Sequence, residues 1–74
     1  MNTVILIDSE AKKELRNILK SYDRSTNKYG GMKVCGLFAK SDGYISFDNT
    51  TGDCKVEEFT FASEARNWID GGAR

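Results

Sequence analysis

Cys54-Lys55-Val56-Glu57-Glu58-Phe59-Thr60-Phe61 runs directly into Ala62-Ser63-Glu64-Ala65-Arg66-Asn67-Trp68-Ile69-Asp70-Gly71-Gly72. The first stretch reads as a strand delivering two phenylalanines. The second reads as a capped helix whose Ala65, Trp68 and Ile69 recur at i, i+3 and i+4. The apolar period changes from 2 to 3.6 with no linker between, so strand and helix must share one core. A helix of about two turns is marginal alone and has to lie across the sheet it leaves. The fold class that follows is α+β.

Working back from that stretch, Asn49-Thr50-Thr51-Gly52-Asp53 is a turn, and residues 44–48 alternate, with Ile45 and Phe47 on one face and Tyr44 and Ser46 on the other. Ser41-Asp42-Gly43 carries the Asp-Gly pair of a tight hairpin. Residues 32–40 form a strand with apolar groups on both faces, which reads as a central strand. Val56 is out of phase with Phe59 and Phe61, and this suggests a bulge near Glu57-Glu58. Arg24-Ser25-Thr26-Asn27-Lys28-Tyr29-Gly30-Gly31 is a polar loop ending in glycines.

Further upstream, Ala11, Leu15, Ile18, Leu19 and Tyr22 make one helical stripe. Asp8 or Ser9 caps this helix, Glu10 sits in its first turn, and its end is expected near Tyr22 or Asp23. Residues 3–7 are a short apolar run read as an edge strand. The expected architecture is β-α-β-β-β-α: a three-stranded antiparallel meander plus the short N-terminal edge strand, with two helices packed on one face.

Seventy-four residues allow one domain, 1–74. A chain this short is marginally stable, on the order of 5 kcal/mol. There is no histidine, and Cys35 and Cys54 are the two cysteines. No ligand spacing for structural zinc exists, and no cofactor is expected. In a meander, Cys35 and Cys54 would flank a common middle strand about 10 Å apart, beyond disulfide reach. The N-terminus shows no basic segment followed by a long apolar stretch, so a cytoplasmic protein with reduced thiols is expected.

These absences shape the functional reading. Without imidazole, neither cysteine has a base to activate it, and no carboxylate pair is set for acid–base work. Asp48-Asn49-Thr50-Thr51-Gly52-Asp53 lacks calcium-loop spacing and is explained by an Asx turn. The chain therefore reads as a non-enzymatic binding module. Net charge is zero, yet residues 1–40 hold eight basic groups against four acidic ones, and residues 41–74 three against seven. Asp42, Asp48, Asp53, Glu57 and Glu58, with Tyr44 as an exposed anchor, form a candidate patch for a protein with a basic surface. The alternative is a nucleic-acid-binding regulator using Lys12, Lys13, Arg16 and Lys20 on one face of the first helix. Glu10, Glu14 and the nearby lysines are also spaced for local ion pairs that would leave this face a plain solvated one. A homodimer pairing through its sheet is a third arrangement.

Two resemblances add to this. The α-β-β-β-α order resembles the double-stranded-RNA-binding domain, which reads RNA through a lysine-rich start to its last helix and a Gly-Pro-x-His-like loop. The resemblance is in element order alone: the corresponding helix here opens Ala62-Ser63-Glu64-Ala65-Arg66 and the hairpin loop is only Ser41-Asp42-Gly43, departing from both motifs. Over residues 43–70, a strand followed by Phe59-x-Phe61-x-Ser63-Glu64-Ala65-x-x-Trp68-Ile69 looks like the tails of small phage and mobile-element accessory proteins, including anti-CRISPR inhibitors. That resemblance implies a stand-alone, phage-encoded inhibitor that occludes a host or defence complex.

Overall fold

The computed structural model describes residues 4–71. Its elements are α1 (Asp8–Lys20), β1 (Tyr22–Asp23), β2 (Lys28–Tyr29), β3 (Cys35–Lys40), β4 (Gly43–Asp48), β5 (Lys55–Phe59) and α2 (Ala62–Ile69). The α+β class and the three-stranded antiparallel meander, ordered β3-β4-β5, are as expected. β4 is the central strand, and β3 lies at an edge.

The ladder pairs Gly36 with Phe47, Phe38 with Ile45 and Phe47 with Val56, so these residues share one face. Ala11 and Ile18 of α1 pack on that face against Phe38 and Phe47. The opposite face carries Cys35, Leu37 and Phe59, and Trp68 and Ile69 of α2 pack there. Ser46, also on that side, donates its hydroxyl to the Ala65 carbonyl at 3.0 Å. The two helices therefore cover opposite faces of the sheet, not one face. Apolar residues on both sides of β3 demand this, since each apolar face of a sheet must be covered.

The same arrangement removes the expected bulge. β5 pairs with β4 in unbroken register from Asp48↔Lys55 to Tyr44↔Phe59. Val56 is out of phase with Phe59 because it faces the α1 side while Phe59 faces Trp68, whose ring centroid is 6.3 Å away. Phe61 lies beyond the strand as the N-cap of α2, with no side-chain cap bond.

No edge strand forms over residues 4–7; Thr3 lies outside the described residues. Leu6 packs into the α1 side of the core, whereas Val4, Ile5 and Ile7 are exposed. Ile7 is the N-cap of α1, and Asp8 does not cap the helix. Its carboxylate instead accepts the Ala39 backbone N–H at 2.7 Å, taking a donor that an added strand would have used. α1 ends at Lys20, short of Tyr22. Ser21 closes it, donating its hydroxyl to the Ile18 carbonyl and accepting the Gly31 N–H, both at 2.6 Å.

The segment expected as a loop contains a small hairpin instead. β1 and β2 pair Tyr22 with Tyr29 and Asp23 with Lys28. Asp23 accepts hydrogen bonds from the Ser25 N–H and hydroxyl, and Asn27 takes a φ of 56°, a conformation asparagine tolerates. A side chain at Gly31 would begin 2.9 Å from the Ile18 Cα, so glycine lets this hairpin close onto α1. The β3–β4 turn is Ser41-Asp42, neither with positive φ. Gly43 is needed for closeness, not for the turn, because a methyl there would strike the Phe59 carbonyl oxygen.

Candidate nucleic-acid interface

α1 presents Ala11, Leu15 and Ile18 of its apolar stripe to the sheet, leaves Leu19 exposed, and turns the opposite side outward. Lys12, Lys13, Arg16 and Lys20 are all exposed. At about 100° per residue they span an arc of about 100° centred away from Ala11 and Ile18. Asp8 falls on one flank of this arc, and Glu10 and Glu14 fall on the other. Sorting acids out of the arc is a property of spacing, and the structure puts the whole arc in solvent. Among the described residues, none of the four cations makes an ion pair within 4.0 Å. The local pairs with Glu10 and Glu14 that the spacing allowed are not formed.

The acidic set expected to bind a protein is not brought together. Asp48 is buried, and its carboxylate accepts the Thr50 N–H at 2.8 Å and the Thr50 hydroxyl at 2.6 Å. It builds the turn, and the inward-turning Asp-x-Thr spacing was its signal. Asp42 and Glu58 both lie on Lys40, at 3.3 and 3.1 Å, and raise its pKa above the ordinary value, Glu58 contributing most through its hydrogen bond. Asp53 pairs with Lys28 at 2.7 Å, and that hydrogen bond is the main reason its carboxyl titrates below the ordinary range. Glu57 and Tyr44 face the α2 side, whereas Glu58 faces the α1 side. Tyr44 is half-buried between Ala39 and Phe59 rather than standing on an open sheet.

Asn49 was missed as a key residue. It is fully buried; its N–H donates to the Val34 carbonyl at 2.9 Å, and its side-chain amide donates to the Met32 carbonyl at 3.0 Å. It also accepts the Gly52 N–H at 3.0 Å, so one residue fixes the β4–β5 turn to the approach of β3.

Cys35 lies on the α2 side and Cys54 packs against the α1 side, and both are free thiols. Among the described residues, no group of three or more potential ligands is placed to hold a metal ion. Among them, too, no helix is long and apolar enough to cross a membrane. An open groove of about 410 Å³ lies between α1 and the N-terminal segment, lined by Val4, Leu6, Met32 and Val34 with Glu10, Lys13 and Glu14. Comparison with known protein families, with curated proteins and with solved structures finds no match.

Proposed function

We propose that this chain is a small non-enzymatic binding module that engages the phosphate backbone of nucleic acid through the outer face of α1. The observation that carries this reading is the unpaired, solvent-facing arc of Lys12, Lys13, Arg16 and Lys20. α1 is held rigidly by Ala11 and Ile18 beneath it, so the four cations are presented together without a cost of ordering a loop. Backbone contacts of this kind give affinity with little sequence preference. Four neutralised phosphates predict a slope of log affinity against log salt of about −3.6 on duplex DNA. Fluorescence anisotropy with labelled duplex DNA and duplex RNA, across a salt series, tests this. Reversing Lys12, Arg16 and Lys20 to Glu removes binding to both. Affinity unchanged by these reversals, or insensitive to salt, refutes the reading.

A second reading keeps a protein partner, the phage-encoded inhibitor that the tail resemblance implies. It draws its support from the exposed Val4 and Met32 that line the groove, with exposed Ile5 and Ile7 in the same N-terminal segment as Val4, apolar side chains on a small domain. The acidic residues no longer supply its site. Association with a host complex that is lost on Ile7→Asp and Met32→Asp, and kept on reversal of the α1 cations, would select this reading over the first.

A further inference from the structure

The two edges of the sheet differ. Along β3, the outward N–H of Ala39 is taken by Asp8. Along β5 no strand follows among the described residues, and Lys55–Phe59 is exposed up to its last residue. The ladder also fixes which groups point outward. Ala39 points its N–H away from β4, so its partner Tyr44 turns its own backbone groups toward β5. Tyr44 pairs with Phe59, and alternation then directs the backbone groups of Phe59, Glu57 and Lys55 inward and those of Glu58 and Val56 outward.

We propose that β5 is the interface of a two-fold symmetric dimer. The β5 strands of two copies pair antiparallel about Val56 and join the two meanders into one six-stranded sheet. The register follows from charge. An antiparallel pair related by a two-fold must centre on one residue that meets its own copy, because a centre between residues would set outward backbone groups against inward ones. Centring on Lys55 opposes two ammonium groups, and centring on Glu57 or Glu58 opposes two carboxylates, each unfavourable in directly facing positions. Centring on Val56 opposes two exposed valines and sets Lys55 of each copy opposite Glu57 of the other, on the same face. Of the five residues of β5, only Val56 and Phe59 are centres free of a like-charge clash; a Phe59 centre sets Glu57 against Phe61 at the N-cap of α2 and makes no ion pair, whereas a Val56 centre makes two. With β3 obstructed, pairing through β5 closes at two copies and does not propagate into a fibre.

Antiparallel pairing keeps facing residues on one side of the sheet, so both α1 helices emerge on the same side. The dimer thus displays two copies of the cationic arc in one direction, which would raise avidity for a long anionic strand. The dimer itself is independent of that use.

Sedimentation equilibrium over a concentration series is the experiment, with circular dichroism confirming that each variant is folded. The wild-type chain is expected to approach twice the mass of one chain. Val56→Lys, Lys55→Glu and Glu57→Lys are each expected to remain monomeric. An equimolar mixture of the Lys55→Glu and Glu57→Lys chains is expected to dimerise again, since each supplies the charge the other lacks. A wild-type chain that stays monomeric at its highest soluble concentration overturns the proposal, as does dimerisation that survives all three single substitutions. Failure of the mixture to recover the dimer overturns the register. Dimerisation with no nucleic-acid affinity leaves this proposal standing and removes the function proposed above.

Discussion

Replacing Asn49 tests how the turn before β5 is held. The side-chain amide donates to the Met32 carbonyl at 3.0 Å and lies 3.5 Å from the Tyr29 carbonyl, the latter too long to count for much. Its Oδ1 atom has no hydrogen-bond partner among the described residues. Asn49→Ala therefore removes one good neutral hydrogen bond, worth about 1 kcal/mol, and orphans a carbonyl, which adds up to about 2 kcal/mol more. Deleting the unpartnered Oδ1 gives some of that back, so the expected loss is about 1–2 kcal/mol. In a domain of this size each kcal/mol lowers the melting midpoint by about 4–8 °C, so a fall of about 5–15 °C is expected.

Asn49→Asp separates the donor from the volume. It keeps the shape but turns a carboxylate toward two carbonyl oxygens, so at pH 7 it should cost more than alanine does. Such a carboxyl has a folded pKa above its unfolded value of about 3.9, because the fold favours its protonated, donating form. The penalty is then absent below the unfolded pKa and grows as pH rises toward the folded one. Urea denaturation of wild type and both variants at pH 7 and near pH 4 measures this. The aspartate variant should recover on the acid side relative to alanine. If it is as stable as wild type at pH 7, or if its deficit ignores pH, the donated bond to Met32 is not what holds the turn.

The Lys28–Asp53 pair makes a pH prediction of the opposite sign. The Asp53 carboxyl titrates below its ordinary 3.8, mainly through the Lys28 hydrogen bond. Its stabilising contribution is present above that value and is lost as pH falls through the lower folded pKa. The urea midpoint of Asp53→Asn should lie below that of wild type at neutral pH and converge with it in acid; a gap that stays constant to the lowest pH speaks against the pair. The thiols give a third check. Burial, with a smaller effect from Asp48, pushes Cys54 above its ordinary 9.0, and Cys35 is fully buried. Alkylation at pH 8 followed by peptide mass spectrometry should label Cys54 slowly and Cys35 only after denaturant is added. Equal labelling of both in the native protein would contradict the placement of Cys35 beneath α2.

Periodicity made α1, α2 and the meander legible, because each buries one clean stripe or face. Ala65, Trp68 and Ile69 are buried as their spacing requires. The placement of the helices was written in β3 and β5 but admitted two interpretations. Cys35 and Leu37 alternate with Phe38, and Val56 opposes Phe59 in phase. A central strand with a neighbouring bulge, or an edge strand covered by a helix on each side, produces the same letters. Residues 4–7 failed for another reason: apolar runs signal burial, but Asp8 had already claimed the Ala39 N–H, a tertiary bond invisible in local sequence. The cationic arc was fully legible because helix geometry sorts residues by number alone. The acidic patch was not, since Asp53 and Glu58 are paired with Lys28 and Lys40 across contacts distant in sequence, and Asp42 joins Lys40 across the β3–β4 turn.

Covering both faces of the sheet moves recognition to different parts of the molecule. Had both helices shared the α1 side, a flat sheet surface with Tyr44 and Glu57 would have been free to meet a partner. With α1 over Phe38 and Phe47 and α2 over Cys35 and Leu37, helix backs and strand edges are left, together with the groove beside Val4 and Met32. Helix backs differ here in charge: α2 carries Glu64 and Arg66 in balance with Asp70 as its C-cap, whereas α1 carries four cations in one arc. Strand edges differ in access: Asp8 takes the outward Ala39 N–H of β3, and among the described residues no strand covers β5. Those two asymmetries are what the proposed anionic ligand on α1 and the proposed second copy on β5 rest on. The two sites use separate residues, so Lys55→Glu should abolish dimerisation yet leave the intrinsic affinity of one chain for a short duplex unchanged. A loss of that affinity in the monomeric variant would mean that neither helix back nor edge acts alone, and that binding belongs to the paired sheet.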